Sequence, residues 1–130
     1  MINQPNPYLR YQQTRVETAG PLQLIIMLYD GAIRFINQGK QAMINHDFSQ
    51  TNTALKRAED IIDELTITLN PAAGEITDNL ARLYEFVNYR LIQANVKKEP
   101  EMLDDAVRVL STLRSAWVEL QAPDKEAVGR

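Results

Sequence analysis

The chain has 130 residues, of which 45% are hydrophobic and 24% charged, and its formal net charge is −3. This composition argues against intrinsic disorder, and the length fits a single domain with a substantial core. The negative charge does not favour binding to nucleic acid or to an anionic membrane. The absence of cysteine excludes disulfides, thiol catalysis and thiolate metal sites.

Residues 1–19 are predicted to form an N-terminal arm, because two early prolines favour extended backbone and block helix formation. Tyr8, Tyr11 and Val16 nevertheless recur at helix-like spacing. Two interpretations stay open: a frayed terminus, or an arm that docks its tyrosines on an apolar surface of the body. No signal-peptide pattern is present and the longest apolar run is short, so we expect a soluble, intracellular protein without membrane insertion.

The first helix is predicted over residues 21–45, with Gly20 as N-cap and Pro21 at the first helical position. One apolar stripe of this helix is assigned to the core: Ile25, Leu28, Ala32, Phe35, Ile36, Gly39 and Met43. A second stripe lies beside the first and consists of Leu22, Ile26, Tyr29 and Ile33. A helix with so wide an apolar face needs more than one neighbour to cover it.

Three further helices are predicted over residues 48–69, 75–98 and 100–121, followed by a loose tail over 123–130. Asp47 is the predicted N-cap of the second helix, with Gln50 completing a capping box. The core positions predicted for these helices are Phe48, Leu55, Ala58, Ile61, Ile62, Leu65, Leu69, Ile76, Leu80, Leu83, Val87, Leu91, Ala94, Leu103, Ala106, Val107, Leu110, Leu113, Trp117 and Leu120. Similar helix lengths and short connections predict an all-α fold, an antiparallel up-down four-helix bundle over residues 20–122.

The sequence offers little for catalysis. The Glu-x-x-His pattern of di-metal bundles is absent, and the single histidine, His46, lies in a predicted turn. The acidic residues Glu59, Asp60, Asp63 and Glu64 flank an apolar stripe and are typical of a solvated helix face. We therefore expect no enzyme activity, no metal and no cofactor.

Several large apolar residues do not fit the core stripes. Ile67 points away from the second helix's stripe, and Tyr89, Ile92 and Val96 form an outward stripe on the third helix. Together with the second stripe of the first helix, they predict apolar surface that is left over after the core is built. Two uses stay open: a homodimer interface, or a groove for an amphipathic or extended peptide.

Five segments, in the order in which a known family has them, carry a resemblance to that family. They are NPYLRYQQTRVETA (6–19), GPLQLIIMLYDGAIRF (20–35), NTALKRAEDIIDEL (52–65), GEITDNLARLYEFVNYRLIQAN (74–95) and LRSAW (113–117). With these segments the chain resembles the flagellar secretion chaperone FliS family, the export chaperones of flagellin. The resemblance covers the chain from about Asn6 to Trp117.

The resemblance implies a cytoplasmic, non-enzymatic chaperone that binds the C-terminal segment of flagellin, which is disordered before assembly. This client would be kept from premature polymerisation and delivered to the flagellar type III export gate. The alternative is a helical adaptor or regulator of another flagellar protein. On this basis the arm residues, the second stripe of the first helix, Ile67 and the outward stripe of the third helix are the predicted partner-binding residues. We expect a monomer or a weak homodimer.

Overall fold

The computed structural model of the protein describes residues 20–121. The predicted arm, with Tyr8, Tyr11 and Val16, and the predicted tail lie outside the described residues. Four helices make up the described part: α1 (Pro21–Ile44), α2 (Phe48–Ile67), α3 (Glu75–Lys97) and α4 (Met102–Gln121), with a short 3-10 turn (Pro71–Ala73) before α3. Each helix begins and ends within two residues of its predicted limits. No strand occurs between residues 20 and 121.

The helices pack in a ring. α1 contacts α2 and α4, and α3 contacts the same two helices, so α1 and α3 lie diagonally across the bundle. Because consecutive helices are neighbours joined by short connections, they run antiparallel. The prediction of an all-α, antiparallel up-down bundle is confirmed.

The turn between α1 and α2 shows how local sequence stops and restarts a helix. Asp47 caps α2, and its carboxylate accepts a hydrogen bond from the backbone N–H of Gln50 at 3.2 Å. The backbone N–H of Asp47 donates instead to the carbonyl of Ala42 at 2.8 Å. That N–H is therefore already paired within the turn, and the reciprocal half of the predicted capping box is not used.

All four helices contribute predicted stripe residues to the buried core, but three predicted core residues are exposed. Phe48, Ile76 and Leu120 are solvent-exposed, so their assignment to the core is wrong. Each lies in the first or last turn of its helix, where the neighbouring helices no longer cover the stripe. Conversely, Tyr84 was not predicted as core but is almost completely buried.

Candidate partner-binding surface

The second apolar stripe of α1 does not form a free surface. Ile26 is 3% exposed and Tyr29 is 0% exposed, so the prediction that they are left uncovered is wrong. Leu22 and Ile33 are half-buried, and Ile33 packs against the core. The cause is α4, which contacts this side of α1: Lys40, seven residues after Ile33, pairs with Asp104 of α4 at 2.7 Å. Two neighbours cover the wide apolar face of α1.

A hydrogen-bonded chain of aromatic side chains joins three helices at the centre of the bundle. The hydroxyls of Tyr29 (α1) and Tyr84 (α3) are 2.6 Å apart, and the indole N–H of Trp117 (α4) donates to the Tyr29 hydroxyl at 2.9 Å. Burial raises the pKa of Tyr29, which the hydrogen bonds to Tyr84 and Trp117 partly oppose. Burial and the bond to Tyr29 raise the pKa of Tyr84. The raised pKa values keep both phenols neutral at physiological pH, and their hydroxyls link the helices through hydrogen bonds.

The outward side of α3 carries an uncovered apolar stripe. Tyr89, Ile92 and Val96 are all exposed, Val96 to 77%, so the prediction that these residues point away from the core is confirmed. Phe86 is also exposed and extends the stripe by one turn. Its spacing of three residues before Tyr89 was the signal in the sequence that could have included it. We call these four residues the α3 stripe.

A groove runs between α2 and α3, beside the α3 stripe, with a volume of about 540 Å³. The buried ring of Tyr84 forms part of its lining, so the groove reaches down to the central aromatic chain. Ile67, at the end of α2 and next to the lining residue Thr66, is strongly exposed as predicted. The residues lining the groove are Asp63 and Thr66 of α2 with Ala81, Arg82, Tyr84, Glu85, Asn88, Tyr89 and Ile92 of α3.

Apolar surface continues on two further sides of α3. A recess of about 280 Å³ lies between α3 and α4, with Leu83, Val109 and Leu113 in its walls. A second recess of about 190 Å³ opens at the end of the bundle where the 3-10 turn meets α3, and Ile76 and Trp117 line it. Ile76, which was predicted to lie in the core, is exposed at this recess and so belongs to the same surface. A ligand that crosses α3 would meet apolar groups on both sides.

The described residues hold no arrangement that is typical of catalysis. No group of three or more His, Asp or Glu side chains within residues 20–121 is placed to hold a metal ion. His46 is exposed, and its ring contacts the Phe48 ring edge-on at 5.5 Å between centroids. No described helix is both long and apolar enough to cross a membrane. The features that stand out in this part of the chain are apolar grooves.

Comparison with known proteins identifies a family with this fold. The family profile "Flagellar protein FliS" matches residues 4–124. The flagellar secretion chaperone FliS of Bacillus subtilis is 38% identical over 125 residues, covering 95% of this chain and 93% of that protein. The flagellar secretion chaperone FliS of Vibrio cholerae is 36% identical, covering 80% of this chain and 77% of that protein. A crystal structure of a bacterial flagellar chaperone superimposes with a TM-score of 0.75 at 21% identity, over 90% of this chain and 99% of that chain.

Proposed function

The chain belongs to the flagellar protein FliS family, and from this premise we propose that it binds the C-terminal segment of flagellin before assembly. In this proposal the bound segment cannot polymerise in the cytoplasm, and the complex is delivered to the flagellar type III export apparatus. The general role of a flagellar secretion chaperone follows from the family. The client, its binding site and its delivery are the finer points that we propose.

The observation that carries the proposal is the α3 stripe beside the α2–α3 groove. Its residues run from Phe86 to Val96, which at 1.5 Å per residue is about 15 Å, or almost three turns of helix. A stripe of this length matches the apolar face of a short amphipathic helix that lies along a groove. A disordered client segment that becomes helical on this surface would bury side chains that the bundle does not need for its own core.

The energetics favour a client that wraps around α3. Complete burial of four half-exposed apolar side chains supplies roughly 3–6 kcal/mol, about half of the value for fully exposed ones. A micromolar complex needs about 8 kcal/mol, in addition to about 2–5 kcal/mol for ordering a disordered segment. The α3 stripe alone is therefore insufficient. The recess between α3 and α4 and the recess at the end of the bundle offer the additional apolar surface.

The arm and the edge of α1 form a secondary part of the proposal. Leu22 and Ile33 are half-buried at the α1–α4 contact, where a small apolar area remains for a partner. Tyr8, Tyr11 and Val16 are proposed to cover apolar surface in the free protein and to be displaced by the client. Deletion of residues 1–17 tests this: both client affinity and free-state solubility should change. If neither changes, the arm has no such role.

The site is tested by a pair of isoleucine substitutions with similar exposure. Ile92 of the α3 stripe is 50% exposed and Ile44, at the end of α1, is 48% exposed. Ile92→Asp should weaken binding of a flagellin C-terminal peptide by about tenfold or more, because it removes apolar burial and places a charge in the interface. Ile44→Asp should leave the affinity unchanged. Titration calorimetry measures the affinities, and circular dichroism checks that Tm is nearly unchanged in both variants.

The outcomes separate the function from the site. If the wild-type protein does not bind the flagellin peptide, the proposed function is wrong. If it binds and Ile92→Asp binds equally well, the function stands and the α3 stripe is not the binding site. If Ile92→Asp unfolds the protein while Ile44→Asp does not, Ile92 contributes to the core and the assignment of surface is wrong.

A further inference from the structure

The outer face of α3 has a matching pattern of exposed residues in both directions from Tyr89. Phe86 lies three residues before Tyr89 and Ile92 lies three residues after it, and all three are exposed. Arg82 and Val96 lie seven residues before and after Tyr89, and both are exposed as well. At about 100° per residue, these positions lie within about 60° of Tyr89 around the helix. A face of this kind can meet a copy of itself across a two-fold axis that passes through Tyr89.

Such an axis makes the two α3 helices antiparallel and fixes which side chains meet. Tyr89 contacts Tyr89 of the second copy at the axis, and Phe86 contacts Ile92 of the second copy on each side of it. Arg82 lies opposite Val96 of the second copy, where the aliphatic part of the arginine side chain can cover the valine. The pairing therefore uses all four residues of the α3 stripe and leaves the charged end of Arg82 in water.

The charges of α3 favour the antiparallel orientation. Acidic residues are concentrated in the first half of the helix, and lysines at its end: Glu75, Asp78 and Glu85, and then Lys97 and Lys98. Parallel pairing would place like charges side by side. In the antiparallel pair, Gln93 lies opposite Glu85 of the second copy, and Lys97 lies one turn beyond Gln93 on the same edge. Lys97 can therefore pair with Glu85 of the second copy, and symmetry makes this contact twice.

Both members of this pair are available on the surface. Glu85 and Lys97 are exposed, and neither forms an ion pair with a residue between 20 and 121, including Arg82 three residues before Glu85. The neighbouring cations are engaged within the bundle. Arg90 pairs with Asp105 of α4. The ammonium group of Lys98 donates to Asn95 at 2.6 Å and lies over the Phe48 ring.

The size of the contact predicts a weak dimer. The side chains of the α3 stripe are between 40% and 77% exposed, so they offer roughly 400 Å² from each copy. A stable protein–protein interface buries about 800 Å² from each partner, and smaller ones are typical of transient complexes. The exposed ion pairs at the edges add little affinity, although they select the orientation. We expect a reversible dimer that forms at micromolar concentrations or above.

We infer that in the free protein the α3 stripe is covered by the α3 stripe of a second copy, in an antiparallel pair with two-fold symmetry about Tyr89. The pairing satisfies both the apolar pattern and the charge pattern of this face. It goes beyond the proposed function and does not depend on it, because the second copy supplies all of the contacts.

Single engineered cysteines test the geometry, because the natural chain contains no cysteine. Tyr89→Cys places a thiol at the axis, close to its counterpart. Val96→Cys places a thiol seven residues from the axis, so the two copies lie about 21 Å apart along the helices. A disulfide spans no more than about 7 Å between Cα atoms. Random collision would instead favour Val96→Cys, since Val96 is 77% exposed and Tyr89 is 56% exposed.

In a glutathione redox buffer, electrophoresis without reductant should show severalfold more linked dimer for Tyr89→Cys than for Val96→Cys. A mixture of Phe86→Cys and Ile92→Cys should give more linked dimer than either variant alone. Circular dichroism checks that each variant has the wild-type helix content. Because all four substituted positions are exposed, the bundle should fold in every case.

Analytical ultracentrifugation of the full chain measures the pairing without an engineered thiol. The wild type should show a monomer–dimer equilibrium. Ile92→Asp should weaken it about tenfold or more, and Ile44→Asp should leave it unchanged. Lys97→Glu and Glu85→Lys should each weaken it about three- to tenfold at low salt, because each creates two contacts between like charges. An equimolar mixture of these two variants should recover the dimer, since both contacts then join opposite charges.

Three results would contradict the inference. A wild type that stays monomeric up to submillimolar concentration would overturn it, as expected if another segment of the chain covers the stripe. Equal linking of Tyr89→Cys and Val96→Cys would mean random collision or another orientation. A mixture of the two charge variants that dimerises no better than each alone would exclude the antiparallel contact. None of these measurements uses flagellin, so each result leaves the proposed function intact, and failure to bind flagellin would leave the inference intact.

Discussion

At the residue scale, the hydroxyl of Tyr29 links α1 to α3 and to α4 through hydrogen bonds. Its hydroxyl bonds the hydroxyl of Tyr84 and accepts the indole N–H of Trp117, so one buried group satisfies two others. A buried polar group without a partner costs about 1–3 kcal/mol. The three polar groups therefore satisfy one another only when all three are present. This requires α1, α3 and α4 to hold them at the same level of the bundle.

The two buried tyrosines predict a decline in stability at alkaline pH. In the unfolded chain both phenols ionise near pH 10, whereas in the folded state their pKa values are raised. Above about pH 10 the folded state thus holds more protons than the unfolded state, and the free energy of unfolding falls as pH rises; below it this contribution is fully present. Urea unfolding from about pH 8 to about pH 11 should show this slope.

The double variant Tyr29→Phe/Tyr84→Phe is the comparison for this prediction. It lacks both phenols, so its free energy of unfolding should fall less steeply with pH over the same range. If the wild type and the double variant decline in parallel, other groups are responsible and the two phenols do not titrate on unfolding.

At the scale of the helices, the α1–α2 pair depends on close approach at a glycine. A Cβ atom added at Gly39 would lie 2.7 Å from Cδ2 and 2.9 Å from Cγ of Leu55, which is too close. At Gly31 the added atom would lie 3.2 Å from the terminal methyl of Ile61, which can move. Both glycines face α2, but only Gly39 meets a branch point that cannot move away.

This difference predicts opposite results for two identical substitutions. Gly39→Ala should lower the free energy of unfolding by about 1 kcal/mol, because overpacking outweighs the helix propensity that alanine adds. Gly31→Ala should be neutral or stabilising by a few tenths of a kcal/mol, up to about 1 kcal/mol. Urea unfolding followed by the fluorescence of Trp117 measures both. If Gly39→Ala proved as stable as Gly31→Ala, the contact with Leu55 would not limit the approach of α1 to α2.

At the scale of the whole molecule, the bundle completes its own core and still exposes apolar surface around α3. Grooves lie on both sides of this helix, while the diagonal helix α1 is covered by α2 and α4. The surface is thus concentrated around one helix. This arrangement suits a ligand that crosses several grooves in succession.

Coupled folding of the client should be visible in the complex as a whole. When the flagellin peptide is mixed with the protein, the far-UV circular dichroism should show more helix than the sum of the separate spectra. The heat capacity of binding should be negative, as for burial of about 1,000–3,000 Å². The excess helix should be reduced with Ile92→Asp and retained with Ile44→Asp. A spectrum equal to the sum would contradict folding on binding.

The helices and most of the core could be predicted because their determinants are local. Pro21, Asp47 and the polar connections mark where helices begin and end, and apolar spacing of three and four residues marks their buried sides. The same spacing placed Tyr89, Ile92 and Val96 on the outside. Exposure of Ile76 and Leu120 was not predictable from periodicity, since the pattern continues to the end of a helix even where the neighbours end.

By itself, the sequence determined that four amphipathic helices form one bundle and that more apolar surface exists than one core requires. Only the tertiary structure decided which surface remains free. The second stripe of α1 is covered because α4 packs on it, so Ile26 and Tyr29 became core, while no helix within residues 20–121 covers the α3 stripe. Likewise, four acidic residues of α2 look equivalent in the sequence. The hydrogen bonds of Asn52 and Asp63 with α3 set the rotation of α2, and of these four acidic residues only Asp63 lines the groove.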